Sequence, residues 1–253
     1  MDDTKRITPV TARFLRIRTP SAKMYLGESQ YRKEGEGIME KKSKKALVLG
    51  ASLFIAFVLW TVLVCFVDVQ AIGPEGSSVG FAMLNGFVHE LTGVNWLLYT
   101  VTDWLGLVPI AVALGFAILG LAQLIGRKSL WNVDHSILAL GVFYIAVMAA
   151  YVFFEIVVIN YRPTLIDGCL EVSYPSSTTM LVMCVMPTAI MQLNARIKCY
   201  ALKRCVAFVI TAFIIFMVIG RLVSGVHWFS DIIGGTLLSA GLVMMYRFVS
   251  IKK

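Results

Sequence analysis

Residues Ala46 to Val67 read ALVLGASLFIAFVLWTVLVCFV, a run of 22 residues without a charge. At about 1.5 Å rise per residue a helix of this length is about 33 Å long, enough to cross the roughly 30 Å hydrocarbon core of a bilayer. A surface helix of a soluble domain keeps a polar face, and this stretch has none. Outward from it, five further windows are long and apolar enough to span: Thr102 to Ile125, His135 to Ile159, Ser177 to Leu193, Cys205 to Val223 and Trp228 to Val249. The composition agrees, because 58% hydrophobic and 15% charged residues in a 253-residue chain lie outside the range of soluble domains. The expected fold is all-α, an integral membrane bundle of six transmembrane helices occupying residues 46–253.

Six spans put both termini on one side, and the basic residues say which. The segment before the first span holds 12 of the 23 Lys and Arg residues. Arg127 and Lys128 follow the second span, Arg196, Lys198, Lys203 and Arg204 follow the fourth, and Arg247, Lys252 and Lys253 close the chain. These 21 share a face, which the positive-inside bias makes cytoplasmic. The expectation is a multi-pass plasma-membrane protein with both termini inside. The net charge of +8 then serves orientation and attraction to membrane lipids rather than nucleic-acid binding. Residues 1–45 are polar and basic without a sustained helical stripe, which predicts a disordered cytoplasmic tail. Met39 opens a basic lead, MEKKSKK, and reads as an alternative start.

Between the first two spans, a GPEG turn signal at Gly73 to Gly76 precedes Leu84, Phe87, Val88 and Leu91 at helical spacing. This predicts a short helix lying in the interface. It either packs over the bundle or helps to admit a lipid. Cys65, Cys169, Cys184, Cys199 and Cys205 show no metal-like or redox spacing, so they read as small apolar residues.

Arg162 and Arg221 are the two cations left on the outer side. Arg162 precedes Pro163, which stops helical continuation. Pro175 opens the run Ser176, Ser177, Thr178, a helix start whose free N–H groups can either be capped by those hydroxyls or hold an anion. Near the sixth span the chain reads GRLVSGVHWFSDIIGG, which sets Arg221, His227 and Asp231 in the pattern RxxxxxHxxxD. His and Asp four apart share a helix face, and a carboxylate holding Nδ1–H leaves Nε2 free as a nucleophile.

In these stretches, EIVVINYRP, PSST and GRLVSGVHWFSD, the chain resembles the type 2 phosphatidic acid phosphatases. These are six-helix membrane lipid phosphatases that share a phosphate pocket with vanadium haloperoxidases. The family blocks are KxxxxxxRP, PSGH and SRxxxxxHxxxD, and the resemblance covers about residues 46–250. It implies that His227 takes the phosphoryl group, that Asp231 orients it, and that Arg162 and Arg221 clamp phosphate oxygens with Ser176, Ser177 and nearby amides. Neither cofactor nor metal is implied. Departures from the family include Glu155 for Lys, Gly220 for Ser and Thr178 for the His that protonates the leaving group. Glu171 is the first candidate for a substitute acid, with Asp167 and His89 behind it.

The loss of that acid weighs differently on different substrates. An alkoxide leaving group is about as basic as hydroxide, with a conjugate acid near pKa 15.7, and needs a proton. A phosphate monoester leaving a diphosphate has a second pKa of roughly 6 and does not. The expected activity is hydrolysis of a lipid phosphate or diphosphate at the outer face, leaning to a polyprenyl diphosphate such as undecaprenyl diphosphate in a bacterial membrane. The alternatives are a catalytically impaired relative that binds or moves a lipid phosphate, and an unrelated transporter or scaffold. Oligomeric state is not legible in the sequence.

Overall fold

A computed structural model describes residues 22–251, with side-chain surroundings from Gly37 onward. Eight α-helices make up the described chain: α1 (Ala22–Phe66), α2 (Ala82–Thr92), α3 (Trp96–Leu105), α4 (Leu107–Arg127), α5 (His135–Ile156), α6 (Ser177–Arg196), α7 (Tyr200–Val223) and α8 (Phe229–Ile251). Among the described residues, six segments are long and apolar enough to span: Gly37–Phe66, Trp96–Arg127, His135–Ile156, Ser177–Arg196, Tyr200–Val223 and Phe229–Ile251. This is the all-α six-span bundle that the hydropathy predicted.

Two boundaries moved. Residues 1–21 of the expected tail lie outside the described residues, whereas 22–45 belong to α1, so the helix runs back past the expected start at Ala46. That stretch contains no proline and is rich in Lys and Glu, which favour helix. The chain divides at Lys42, and everything below concerns the unit from Lys42 on. The second span starts at Trp96 rather than Thr102 and consists of two helices, α3 and α4, broken at Gly106.

The outward faces carry large apolar residues such as Ile55, Leu59, Ile118, Leu121, Ile145 and Phe208, all more than half exposed, which in a soluble protein would be untenable and in lipid is required. α6 and α8 are the most enclosed spans and pack on each other at the centre. Tyr174, fully buried just before α6, bonds Thr61 of α1 at 2.6 Å through its hydroxyl. Gly234 of α8 lets this ring approach, since a Cβ there would stand 2.6 Å from the Tyr174 ring. Trp60 Nε1 donates to Ser230 O at 3.1 Å and ties α1 to the start of α8.

The expected interfacial helix is α2. Leu84, Phe87 and Leu91 point away from the bundle, while Asn85 is fully buried. Asn85 Nδ2 donates to Ser230 Oγ at 2.9 Å, and Ser230 N donates back to Asn85 Oδ1 at 3.0 Å. The apolar side chains therefore point away from the bundle while Asn85 turns into it. At the far end of the bundle, Asp134 takes ion pairs from Arg127 at 2.9 Å and Arg196 at 3.6 Å. These fasten the α4–α5 turn to α6.

Candidate active site

Between α5 and α6 the chain forms a hairpin. Arg162 N donates to Glu171 O at 2.9 Å and Ser173 N to Asn160 O at 2.9 Å. The tip is Asp167–Gly168, both at positive φ and flanked by the Ile166–Cys169 pair, the composition a tight primed turn demands. Because side chains alternate along an extended strand, Asn160 and Arg162 share one side, as do Glu171 and Ser173. The hairpin thus delivers four polar side chains to the ends of α6, α7 and α8.

Ser173 occupies a place that the sequence reading gave to Asp231. The direct His227 Nδ1 to Asp231 Oδ2 separation is 4.0 Å, too long for a hydrogen bond. Ser173 Oγ lies between them, 3.0 Å from Nδ1 and 2.5 Å from Oδ2. A carboxylate can only accept, so the single hydroxyl proton goes to Asp231 and Oγ accepts from Nδ1–H. At the other ring nitrogen, Arg221 Nη2 lies 3.3 Å from Nε2. Guanidinium has only donors, so Nε2 carries a lone pair. Both ends of the ring therefore give the same tautomer, neutral with its proton on Nδ1.

The charge state follows as well. Burial above all, then the nearby Arg162 and Arg221 charges, holds the His227 imidazole well below its usual range, and the contact with Ser173 opposes this only in part. The ring is thus uncharged at neutral pH. Asp231, fully buried, also accepts from Asn160 Nδ2 at 3.1 Å and Trp228 N at 3.0 Å, with Ser230 Oγ at 3.4 Å. Such a hydrogen-bond shell keeps a carboxylate tolerable in the interior.

At this end of the bundle several buried polar atoms find no hydrogen-bond partner. Arg221 is 1% exposed and Arg162 9%, and their charges are close enough to repel each other. Arg221 Nε and Nη1, Arg162 Nε and Nη1, Ser176 Oγ and Thr179 Oγ1 are buried without a hydrogen bond. Each guanidinium has a carboxylate beside it: Glu171 Oε2 is 3.1 Å from Arg162 Nε, without hydrogen-bond geometry, and Asp103 Oδ1 is 3.5 Å from Arg221 Nη1. Tyr99 lies against Arg221, its ring centroid 5.1 Å from the guanidinium carbon. Two buried like charges are costly together without an anion between them. Ser176 holds the N-cap position of α6 but makes no capping bond, so ordinary capping does not account for its hydroxyl. Ser177 and Thr178 follow in the first turn, where backbone N–H groups lack helical partners.

The sequence model of the PAP2 superfamily matches residues 135–252. Over these residues the chain belongs to the PAP2 superfamily. A crystal structure of a transmembrane PAP2-type phosphatidylglycerolphosphate phosphatase from Bacillus subtilis superposes with a TM-score of 0.54 at 22% identity, covering 78% of this chain and 94% of that one. At that identity the likeness carries the fold. No curated protein matches the chain.

The PAP2 site residues expected from the sequence largely converge. Arg162, Ser176, Arg221, His227 and Asp231 lie at one end of the bundle. Glu155 is exposed and lies beside Tyr151, which also feels the charges of Arg162 and Glu171. Gly220, where the family has Ser, is explained by packing: a Cβ there would stand 2.8 Å from Thr102 Cγ2 of α3. Gly225 has φ +69°, and its Cα faces the Gly93 carbonyl so closely that a Cβ would overlap it at 1.8 Å. This seats the α7–α8 turn on the α2–α3 loop. Ser173, Asn160, Asp103 and Tyr99 were missed. The alternation Asn160-x-Arg162 and Glu171-x-Ser173 about an Asp-Gly pair was the available signal for the first two.

Proposed function

We propose that this PAP2-superfamily protein is a membrane lipid phosphatase that works through a phosphohistidine on His227. The observation that carries the reading is the set of buried, unpartnered donors on Arg162, Arg221 and Ser176 beside an imidazole whose Nε2 lone pair faces Arg221. Guanidinium forks match phosphate oxygens bidentately, and phosphoryl transfer is catalysed mainly by positioning and charge neutralisation. In the first step Nε2 attacks phosphorus, the bond to the leaving oxygen breaks and that oxygen departs with the electron pair. The positive charge arising on the ring is shared along Nδ1–H, Ser173 and Asp231. In the second step water takes the phosphoryl group from Nε2, releasing inorganic phosphate.

The substrate we favour is a lipid diphosphate, polyprenyl in kind, because Thr178 offers no acid for an alkoxide. The Bacillus subtilis protein acts on phosphatidylglycerolphosphate by its name, and a lipid monophosphate is the competing choice here. Turnover of a panel of lipid monophosphates and diphosphates in detergent tests the function. The wild type is expected to prefer diphosphates. Thr178→His should raise monophosphate hydrolysis more than diphosphate hydrolysis, by at most the roughly 100-fold to 10,000-fold worth of a positioned acid. Equal rates on both lipids would place the acid elsewhere, with Glu171 the first to replace. Oxyanion binding without phosphate release would favour the lipid-phosphate binder or carrier, the reading that Thr178 and Glu155 motivate.

The site end is proposed to face outwards, with Arg127 and Lys203 on the cytoplasmic side, on the positive-inside bias. Single cysteines in a Cys-free background test this. An impermeant thiol reagent should label a cysteine at position 167 in intact cells and spare one at position 203. The opposite pattern would invert the topology.

A further inference from the structure

The Arg221 guanidinium is shared between two acceptors. Its Nη2 lies 3.3 Å from His227 Nε2 and its Nη1 3.5 Å from Asp103 Oδ1. Both nitrogens belong to one planar fork, so the carboxylate and the reacting nitrogen are held as neighbours. Their exposures differ: the Arg221 side chain is 1% exposed and that of Asp103 59%. The carboxylate is therefore open to the surroundings of the bundle while the clamp is enclosed. For binding alone it is a liability, because it competes with a phosphate for the same guanidinium.

Its position also answers for Thr178. Gly106, three residues after Asp103 at the break between α3 and α4, would put a Cβ 3.7 Å from Thr178 Cγ2 and 2.8 Å from the Asp103 carbonyl. Thr178 thus lies against the α3–α4 break, three residues along the chain from Asp103. Glu171 is the rival. Its ion pair goes to Nε of Arg162, whereas the guanidinium that Asp103 holds is the one in contact with Nε2.

Resting on the phosphohistidine reading, we propose that Asp103 is the general base for the second half of the reaction, activating the water that hydrolyses phosphorylated His227. The water oxygen bonds to phosphorus while its proton passes to the Asp103 carboxylate. The P–Nε2 bond breaks and its electron pair returns to the ring. Inorganic phosphate leaves, and the proton passes from Asp103 to solvent. A diphosphate needs no acid to begin the reaction, but the water that ends it by attacking the phosphohistidine must give up a proton to some acceptor. An ionised carboxylate suits that second task.

The test is made with purified full-length protein and a lipid diphosphate radiolabelled in its terminal phosphate. Asp103→Asn should release lipid monophosphate in a burst at close to the wild-type rate, then accumulate label on His227 to near one per protein. Its steady-state phosphate release should fall about 100-fold or more. Asp103→Ala should behave likewise and regain turnover when formate is added, whereas Glu171→Gln should not accumulate label. Asp103→Asn protein that slows the burst and the steady state equally, without accumulated label, would overturn the proposal and leave Asp103 as a holder of Arg221. Undiminished turnover would also overturn it. A wild-type protein that neither turns over nor takes label would instead defeat the phosphatase reading, and the role of Asp103 with it.

Discussion

Alanine at position 227 removes phosphate release, by a factor on the order of 10^4 or more, while oxyanion binding survives. The two effects separate because the groups are separate. The attacking lone pair belongs to His227 alone, whereas the donors proposed to face phosphate belong to Arg162, Arg221 and Ser176. Orthovanadate, as a phosphate mimic, should therefore still bind the variant. Arg221 loses one contact at Nε2 and keeps its place beside Asp103 and Tyr99. Phosphate release and vanadate affinity, measured on the same detergent-purified sample, check the pair. Full turnover by His227→Ala would remove the residue from the mechanism.

Asparagine at position 231 should cost nearly as much without disturbing the shape. The carboxylate accepts from Ser173, Asn160 and Trp228, and an amide of the same size replaces one acceptor oxygen by a donor. If the amide NH₂ faces Ser173, the hydroxyl turns to donate to Nδ1. The ring proton then moves to Nε2, where it blocks attack on phosphorus and meets Arg221 donor to donor. A wrong tautomer of this kind costs about 10^4 in a serine protease triad, and a loss on the order of 10^3 to 10^4 is expected here. Ser173→Ala should be milder, since it removes the relay without reversing it. Nitrogen NMR of the imidazole reads the tautomer directly, with the proton on Nδ1 in the wild type and on Nε2 in Asp231→Asn.

What the sequence disclosed and what it hid divide along a physical line. Six spans were legible because a run such as Ala46 to Val67 has one explanation in water and in lipid alike. The Arg221, His227 and Asp231 block was legible because its spacing is local. Ser173 was not, because its position between His227 and Asp231 depends on hairpin pairing across the Asp167–Gly168 turn. Direct contact between residues four apart was the natural expectation, and the 4.0 Å gap shows how a third side chain can intervene without disturbing the helix start. Asp103 was harder still. It is a half-exposed acid near the start of a span, and only the break at Gly106 and the packing of α3 on α7 bring it to Arg221.

Gly220 shows the same limit from the other side. Against the family pattern it reads as a lost serine, whereas in the structure it is the residue that lets Thr102 approach α7. The departure at Thr178 bears on the chemistry instead.

The central claim is that His227 carries the phosphoryl group between lipid and water. Brief reaction with a lipid diphosphate radiolabelled in its terminal phosphate, followed by denaturation and peptide mapping, tests it most directly. The account predicts label on the peptide containing position 227, stable in base, labile in acid and absent from His227→Ala. Phosphate release that proceeds with no label on the protein at any time, or label on another residue, would contradict it.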